Sequence, residues 1–179
     1  MNTVYKVMES PIGKLTLVAR EERLVAILWE NDKPNRVKLS PLTEDGNEPV
    51  LLETEKQLNE YFAGERKRFE LELDFAGTKF QKKVWEVLLS IPFGETRSYQ
   101  EIADQLGNPK AVRAVGAANG RNPISIVAPC HRVIGSSGAL TGFAGGMEAK
   151  AWLLRLEGMG KGVPEAGDEQ LVLLGEMDL

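Results

Sequence analysis

The only cysteine and the only histidine of the sequence are adjacent, Cys130 and His131, within Pro129-Cys130-His131-Arg132-Val133. An apolar run, Ile124 to Ala128, precedes them and Gly135-Ser136-Ser137-Gly138 follows. The pair is therefore expected between a strand and a turn. A thiol attacks as its thiolate, and a free pKa near ~8.5 must be lowered for work at neutral pH. A neighbouring imidazole is the usual means. Extended backbone points successive side chains to opposite faces, so Cys130 and His131 would not touch directly. Either the backbone turns sharply there or a water bridges them. A third group should orient the imidazole. Glu157 is the candidate by position, at the edge of the apolar stripe of the last expected helix. It sits at that helix's C-terminus, where negative charge is unfavourable. The competing readings are a buried structural thiol for Cys130 and a solvent-exposed acid for Glu157.

Composition narrows the chemistry. One cysteine makes no internal disulfide, which fits a reducing, cytoplasmic setting. One Cys with one His makes no zinc cluster, and no metal or other cofactor is expected. No apolar stretch of about 18 residues occurs, so no membrane partner is expected, and the N-terminus does not read as a signal peptide. Glycine-rich Gly142-Phe143-Ala144-Gly145-Gly146 is not a phosphate-cradling P-loop; it precedes a helix, whose N-terminus is open to an anion, but it is expected rather to line the pocket facing Cys130. The net charge of −4 is unevenly spread. Residues 1–77 carry −4, residues 78–162 carry +5 and residues 163–179 carry −5. The segment holding Cys130 is thus the basic one, as a polyanionic partner would require.

The elements that must position these residues fall into two parts. Residues 1–77 read as a small α/β domain. An antiparallel meander comes first: Val4–Met8, Leu15–Val18 and Leu24–Trp29. Residues 31–48 read as a polar loop. A helix over 49–63 should bury Leu51, Leu52, Leu58, Tyr61 and Phe62. A short half-buried strand at 69–73 follows. Residues 78–162 read as a mainly helical domain. Thr78 caps a helix ended by Pro92 and Gly94. Ser98 and Glu101 form a capping box on a short helix stopped by Gly107. Asn108-Pro109 restarts a helix at once and Gly120 ends it. Those two short helices make a helix-turn-helix, a unit that docks on DNA, although an ordinary helical hairpin reads the same way. The second is thin, built on Ala111, Ala114, Gly116, Ala117 and Ala118, so its backbone can approach a neighbour closely. Arg113 is its one long side chain near the start. A last helix over 146–157 buries Ala149, Trp152, Leu153 and Leu156. Residues 163–179 form an acidic tail in which Leu171–Leu174 could pack.

Pro129-Cys130-His131-Arg132-Val133 resembles the signature of the O6-alkylguanine-DNA alkyltransferases, the methylated-DNA–protein-cysteine methyltransferases. Ser98-Tyr99, Arg113-Ala114-Val115-Gly116, Asn122-Pro123, Gly145-Gly146, Trp152-Leu153-Leu154 and Glu157-Gly158 stand in that family's order and spacing. The resemblance is dense over residues 78–160 and looser over 1–77, where the family has a three-stranded antiparallel sheet with a helix. It implies a winged-helix-like helix-turn-helix domain that docks in the DNA minor groove.

The resemblance further implies an irreversible, single transfer of an alkyl group from O6 of a flipped guanine to Cys130. His131 acts through a water, Glu157 orients His131 and Asn122 braces the active-site turn. Tyr99 helps eject the nucleotide and hydrogen-bonds near N3 of the base. Val133 and Ala144 contact the guanine through backbone groups, and Phe143 stacks where many members have Tyr. Arg113 is the finger that fills the gap, and Tyr99, Gln100 and Gly116 complete the DNA-contacting set. Leu156 stands where relatives often have His. Related proteins without transferase activity replace the cysteine, which is retained here. The implied partner is double-stranded DNA containing O6-alkylguanine, met by a monomer. Two alternatives remain open: a helix-turn-helix module that binds alkylated DNA without transfer, and a cysteine hydrolase.

Overall fold

The computed structural model describes residues 2–159. The acidic segment 163–179, with Leu171–Leu174, lies outside the described residues. Strands β1 (Thr3–Met8), β2 (Leu15–Arg20) and β3 (Arg23–Trp29) form the expected antiparallel meander. The β2–β3 connection is a two-residue turn with Glu21 and Glu22 both at positive φ, 51° and 65°. That turn keeps the twist of the flanking strands, as primed hairpin turns do.

A fourth strand, β4 (Leu42–Glu44), corrects the reading of residues 31–48 as loop throughout. It runs parallel to β1, pairing Thr3 with Leu42 and Tyr5 with Glu44. Three residues beside Pro41 and Gly46 carry no period of their own, and the non-local edge of β1 makes them a strand. Residues 69–73 change in the opposite sense. They form only one isolated bridge, Leu73 to Leu24, flanked by bonds from Leu24 N to Glu72 O and from Asp74 N to Leu24 O.

Helix α1 (Pro49–Phe62) is capped by Glu48, whose carboxylate accepts from Leu51 N at 3.0 Å. It lays Leu51, Leu58 and Tyr61 on the sheet. Leu52 was expected in that stripe but faces solvent, because Thr54 and Gln57 take the buried face instead. The other sheet face is covered by Val37, Leu39 and Leu42 around Val18, Val25 and Ala26. Residues up to Ala76 and the stretch Pro123–Val127 make up this unit. Ile27 N donates to Pro123 O at 2.9 Å, and Trp29 Nε1 donates to Ser125 Oγ at 3.1 Å.

Gly77–Asn122 and the residues from Ala128 onward make up the second unit. Helix α2 (Lys79–Leu89) starts at a Thr78–Gln81 capping box. It packs on α4 (Val112–Gly120), with Trp85 Nε1 donating to Ala118 O at 2.8 Å. A Cβ on Gly77 would lie 2.6 Å from the Trp85 ring, so that ring requires a glycine at the junction. Strand β5 (Arg97–Ser98) leads straight into α3 (Tyr99–Gln105), capped by the Ser98–Glu101 box.

The connection from α3 to α4 differs from the expectation. Gly107 adopts φ 76° and Asn108 N bonds back to Ala103 O, the Schellman ending of α3. Asn108 is therefore used as a stop and is not a start. Pro109 and Lys110 form a turn closed by Ala111 N to Asn108 O, and α4 begins three residues later than expected, without a side-chain cap.

The apolar run before Cys130 is no strand. Ile126 sits at φ 75° between Ser125 O and Val127 N, a γ-turn that is strained for a β-branched residue. Pro129, at φ −81° and ψ 68°, is the centre of an inverse γ-turn closed by Cys130 N to Ala128 O at 2.8 Å. The chain then makes a 3₁₀ turn, Cys130–Arg132, and enters β6 (Val133–Ile134), which pairs parallel with β5. Helix α5 (Met147–Leu154) begins one residue after Gly146 and widens into a π-helical turn, Arg155–Met159, which Gly158 ends at φ 89°. Leu156 and Trp152 are half-buried and not core residues as expected.

Candidate active site

Cys130 sits at the first position of the 3₁₀ turn and is 3% exposed. Several bonds fix its backbone. Its N–H goes to Ala128 O, and its carbonyl accepts from Val133 N and, at 3.5 Å, from Asn119 Nδ2. Asn122 Nδ2 donates to Ala128 O at 2.7 Å and so holds together the two ends of the stretch 123–127. This sharp turn is one of the two routes by which the sequence allowed Cys130 and His131 to cooperate.

His131 is fully buried, and its Nε2 lies 2.7 Å from Glu157 Oε2. Glu157 is 4% exposed, which removes the reading of a solvent-facing acid. It stands in the last turn before Gly158, at φ 89°, ends the helix. Arg132 clamps it as a fork, Nε to Oε1 at 2.7 Å and Nη2 to Oε2 at 3.0 Å. Gly94 N adds a longer bond to Oε1 at 3.4 Å. Arg132 Nη1 donates to Ile91 O at 2.6 Å, and its guanidinium lies 5.9 Å from the Phe93 ring centroid.

This arrangement fixes protonation. Burial alone would raise the Glu157 carboxyl, but hydrogen bonds from His131 and Arg132, and their charges, outweigh it and bring its pKa down to about 2. Burial pushes the His131 pKa down from 6.5, against the hydrogen bond and charge of Glu157. With burial the dominant influence, His131 is neutral at pH 7, and the Arg132 fork balances the Glu157 carboxylate. An ionised carboxylate only accepts, hence Nε2 carries the ring proton and Nδ1 keeps its lone pair. Nδ1 is buried and bonded to no protein atom among the described residues. The arrangement thus presents a base with its lone pair inside the site, next in sequence to a buried thiol.

Tyr99 is brought beside the cysteine turn by the pairing of β5 with β6, Ser98 opposite Ile134. Its hydroxyl hydrogen-bonds Thr141 Oγ1. Gly116 of α4 packs on its ring, since a Cβ there would meet Cδ1 and Cε1 at 3.8 Å. Val133 is buried, and its carbonyl accepts from Lys150 Nζ at 2.6 Å. Phe143 and Ala144 lie half-buried on the loop before α5, where Gly146 N closes a turn onto Phe143 O. Arg113 is exposed on α4, apart from the buried cluster. Gln100 spends both amide hydrogens inside the helix-turn-helix, on Asp104 Oδ1 and Pro109 O, each at 3.0 Å.

The sequence alone assigns no role to Arg132, Lys150, Thr141 or Asn119. Arg132 could have been suspected from its place between buried His131 and Val133. Lys150 is fully buried on a helix whose spacing assigns it no special face, and only the fold reveals it. Among the described residues no group of three or more potential metal ligands comes together, and no helix is long and apolar enough to cross a membrane.

Comparison with known proteins matches the chain in two parts. Residues 3–75 match the family described as "6-O-methylguanine DNA methyltransferase, ribonuclease-like domain", and residues 79–159 match its "DNA binding domain". The methylated-DNA–protein-cysteine methyltransferase of Methanosarcina acetivorans is 51% identical over 154 residues, 86% of this chain and 97% of that protein. The constitutive enzyme of that name from Bacillus subtilis is 50% identical over 155 residues, 86% of this chain and 94% of that protein. The crystal structure of the Mycobacterium tuberculosis O6-methylguanine methyltransferase is 48% identical with a TM-score of 0.78, covering 95% of this chain and 99% of that one. The same organism's OGT in complex with DNA is 48% identical with a TM-score of 0.81, covering 90% of this chain and 95% of that one. On matches that take in nearly all the described residues, the chain belongs to the 6-O-methylguanine DNA methyltransferase family.

Proposed function

We propose that the chain repairs alkylated DNA by moving the alkyl group from O6 of guanine onto Cys130, irreversibly and once per molecule. The observation that carries this is the buried series Arg132–Glu157–His131, which presents a neutral imidazole base next to the single cysteine. His131 Nδ1 takes the thiol proton through a water, and Glu157 stabilises the imidazolium that forms. The thiolate attacks the alkyl carbon in line; the S–C bond forms as the C–O6 bond breaks, and the electron pair leaves with the guanine. Tyr99 hydrogen-bonds N3 of the departing base. Backbone groups of Val133 and Ala144 hold the guanine, and Phe143 stacks on it without a hydroxyl to add. Asn122 braces the turn through Ala128 O.

Duplex DNA is the partner, and a close relative is solved in complex with DNA. The helix-turn-helix, α3 and α4, enters the minor groove, where the small residues of α4 allow close approach. Gly116 and Gln100 lie against the backbone there. Arg113, exposed near the start of α4, fills the gap left by the flipped nucleotide. Flipping costs a few kcal/mol and is cheapest for a damaged, poorly paired base. One molecule acts on one lesion as a monomer. A thiol that must stay reduced fits a cytoplasmic location.

Stoichiometry tests this reading. With increasing amounts of an O6-methylguanine duplex, repaired lesions should rise to one per protein molecule and stop. Continued turnover would contradict self-alkylation.

A further inference from the structure

Lys150 is fully buried on α5, and its ammonium makes three bonds: to Val133 O at 2.6 Å, and to Thr141 O and Thr141 Oγ1, each at 3.3 Å. Burial lowers its pKa to about 8, opposed by attraction to Cys130, so the cation still predominates at neutral pH. An ammonium donates and never accepts. Thr141 is itself fully buried, and among the described residues its hydroxyl meets only Lys150 Nζ and Tyr99 Oη. Its hydrogen cannot go to Lys150, so it goes to Tyr99. The order of donation is therefore fixed as Lys150 to Thr141 to Tyr99, and the phenolic hydrogen of Tyr99 is turned away from Thr141.

We propose that Thr141, anchored by Lys150, is a positioning residue that commits the Tyr99 phenol to donate its hydrogen to the leaving guanine. This rests on the reading of Tyr99 as the donor to N3. As the C–O6 bond breaks, the electron pair passes to the guanine, and negative charge grows at its ring nitrogens. The Tyr99 hydrogen bond meets that charge at N3. Where the proton itself crosses, the negative charge passes to Tyr99 Oη, which already accepts from Thr141 and, one step behind, is backed by the Lys150 cation. Donors aligned in one direction polarise each other. Without the Thr141 hydroxyl, the Tyr99 hydrogen is no longer aimed, and it has no donor behind it.

The test uses the full chain in single-turnover alkyl transfer from two duplexes, one carrying O6-methylguanine and one carrying O6-methyl-3-deazaguanine, which has C–H in place of N3. Thr141→Val should slow transfer from the natural base about tenfold, the effect of one lost transition-state hydrogen bond. Thr141→Ser, which keeps the hydroxyl, should restore the rate. On the deaza base, Thr141→Val, Thr141→Ser and the unchanged chain should react alike. Lys150→Met should behave like Thr141→Val where it folds, and the Thr141 pair decides the matter where it does not. Equal slowing of both bases by Thr141→Val, or no slowing, overturns the proposal. Tyr99→Phe separates the two levels. If it slows transfer from the natural base while Thr141→Val does not, the donor reading stands and the Thr141 role falls. If Tyr99→Phe has no effect, both fall.

Discussion

The chemistry at Cys130 rests on one buried cluster, in which burial leaves His131 uncharged and Arg132 pairs with the Glu157 carboxylate. Removing one member of a buried ion pair costs about 3–5 kcal/mol, because the partner's charge is left uncompensated. Glu157→Gln should therefore lower the thermal midpoint and slow alkyl transfer together. Arg132→Lys should do nearly the same, since an ammonium cannot reproduce the fork. A calorimetric scan and a single-turnover assay of each variant check this, and native values for both would remove the ion pair from the site. Acid should act on the same residues. Glu157 is held at about 2 against an ordinary 4.5, and His131 is lowered from 6.5. Both bind protons more readily in the unfolded chain, so stability falls as pH drops. Below 6.5 the His131 contribution goes first, and between 4.5 and about 2 the Glu157 contribution follows. Urea midpoints should decline as pH falls from 7 to 3, first through His131 and, below 4.5, through Glu157 as well; a flat profile would contradict the buried pair. At this scale Cys130 and His131 were legible because each occurs once and they are adjacent. Arg132 and Lys150 were not, because a long cation is solvated by default and burial depends on partners remote in sequence.

The helix-turn-helix was legible because its stops and caps are local: Ser98 with Glu101, Gly107 and Gly120. The late start of α4 was not, because Asn108 serves equally as a cap or as the end of a Schellman motif. Similarly, β4 depends on the free edge of β1, and the γ-turns at Ile126 and Pro129 replace what an apolar run suggests. Gly116 separates stability from binding on α4. A Cβ there meets the Tyr99 ring at an ordinary 3.8 Å, so the fold accepts alanine. Alanine in a helix interior is also favoured over glycine by about 0.5–1 kcal/mol. Gly116→Ala should raise the thermal midpoint slightly yet weaken duplex binding, because the added methyl widens the one thin helix. Tighter binding by this variant would contradict close approach of α4 to DNA. Arg113→Ala should keep the fold and slow repair in duplex DNA far more than reaction with free O6-benzylguanine. Equal slowing of both would remove its role as the finger.

Across the whole chain, net charge misleads where its distribution informs. The total is −4, yet residues 78–162 carry +5. Binding to duplex should release counterions, so affinity should fall as salt rises; a salt-independent affinity would contradict a backbone-contacting basic unit. The order of elements, an α/β unit followed by a mainly helical one, was readable from periodicity and punctuation. The return of residues 123–127 to the first unit was not, because a mostly apolar stretch of five residues before a reactive cysteine carries no mark of the sheet edge it joins.

Alkyl transfer to Cys130 is covalent, and mass reads it directly. The intact protein would be weighed before and after incubation with an O6-methylguanine duplex, and the modified peptide mapped. A gain of one methylene on Cys130, absent from Cys130→Ser, is the expected result. An unchanged mass with duplex binding retained would contradict alkyl transfer and leave a DNA-binding module.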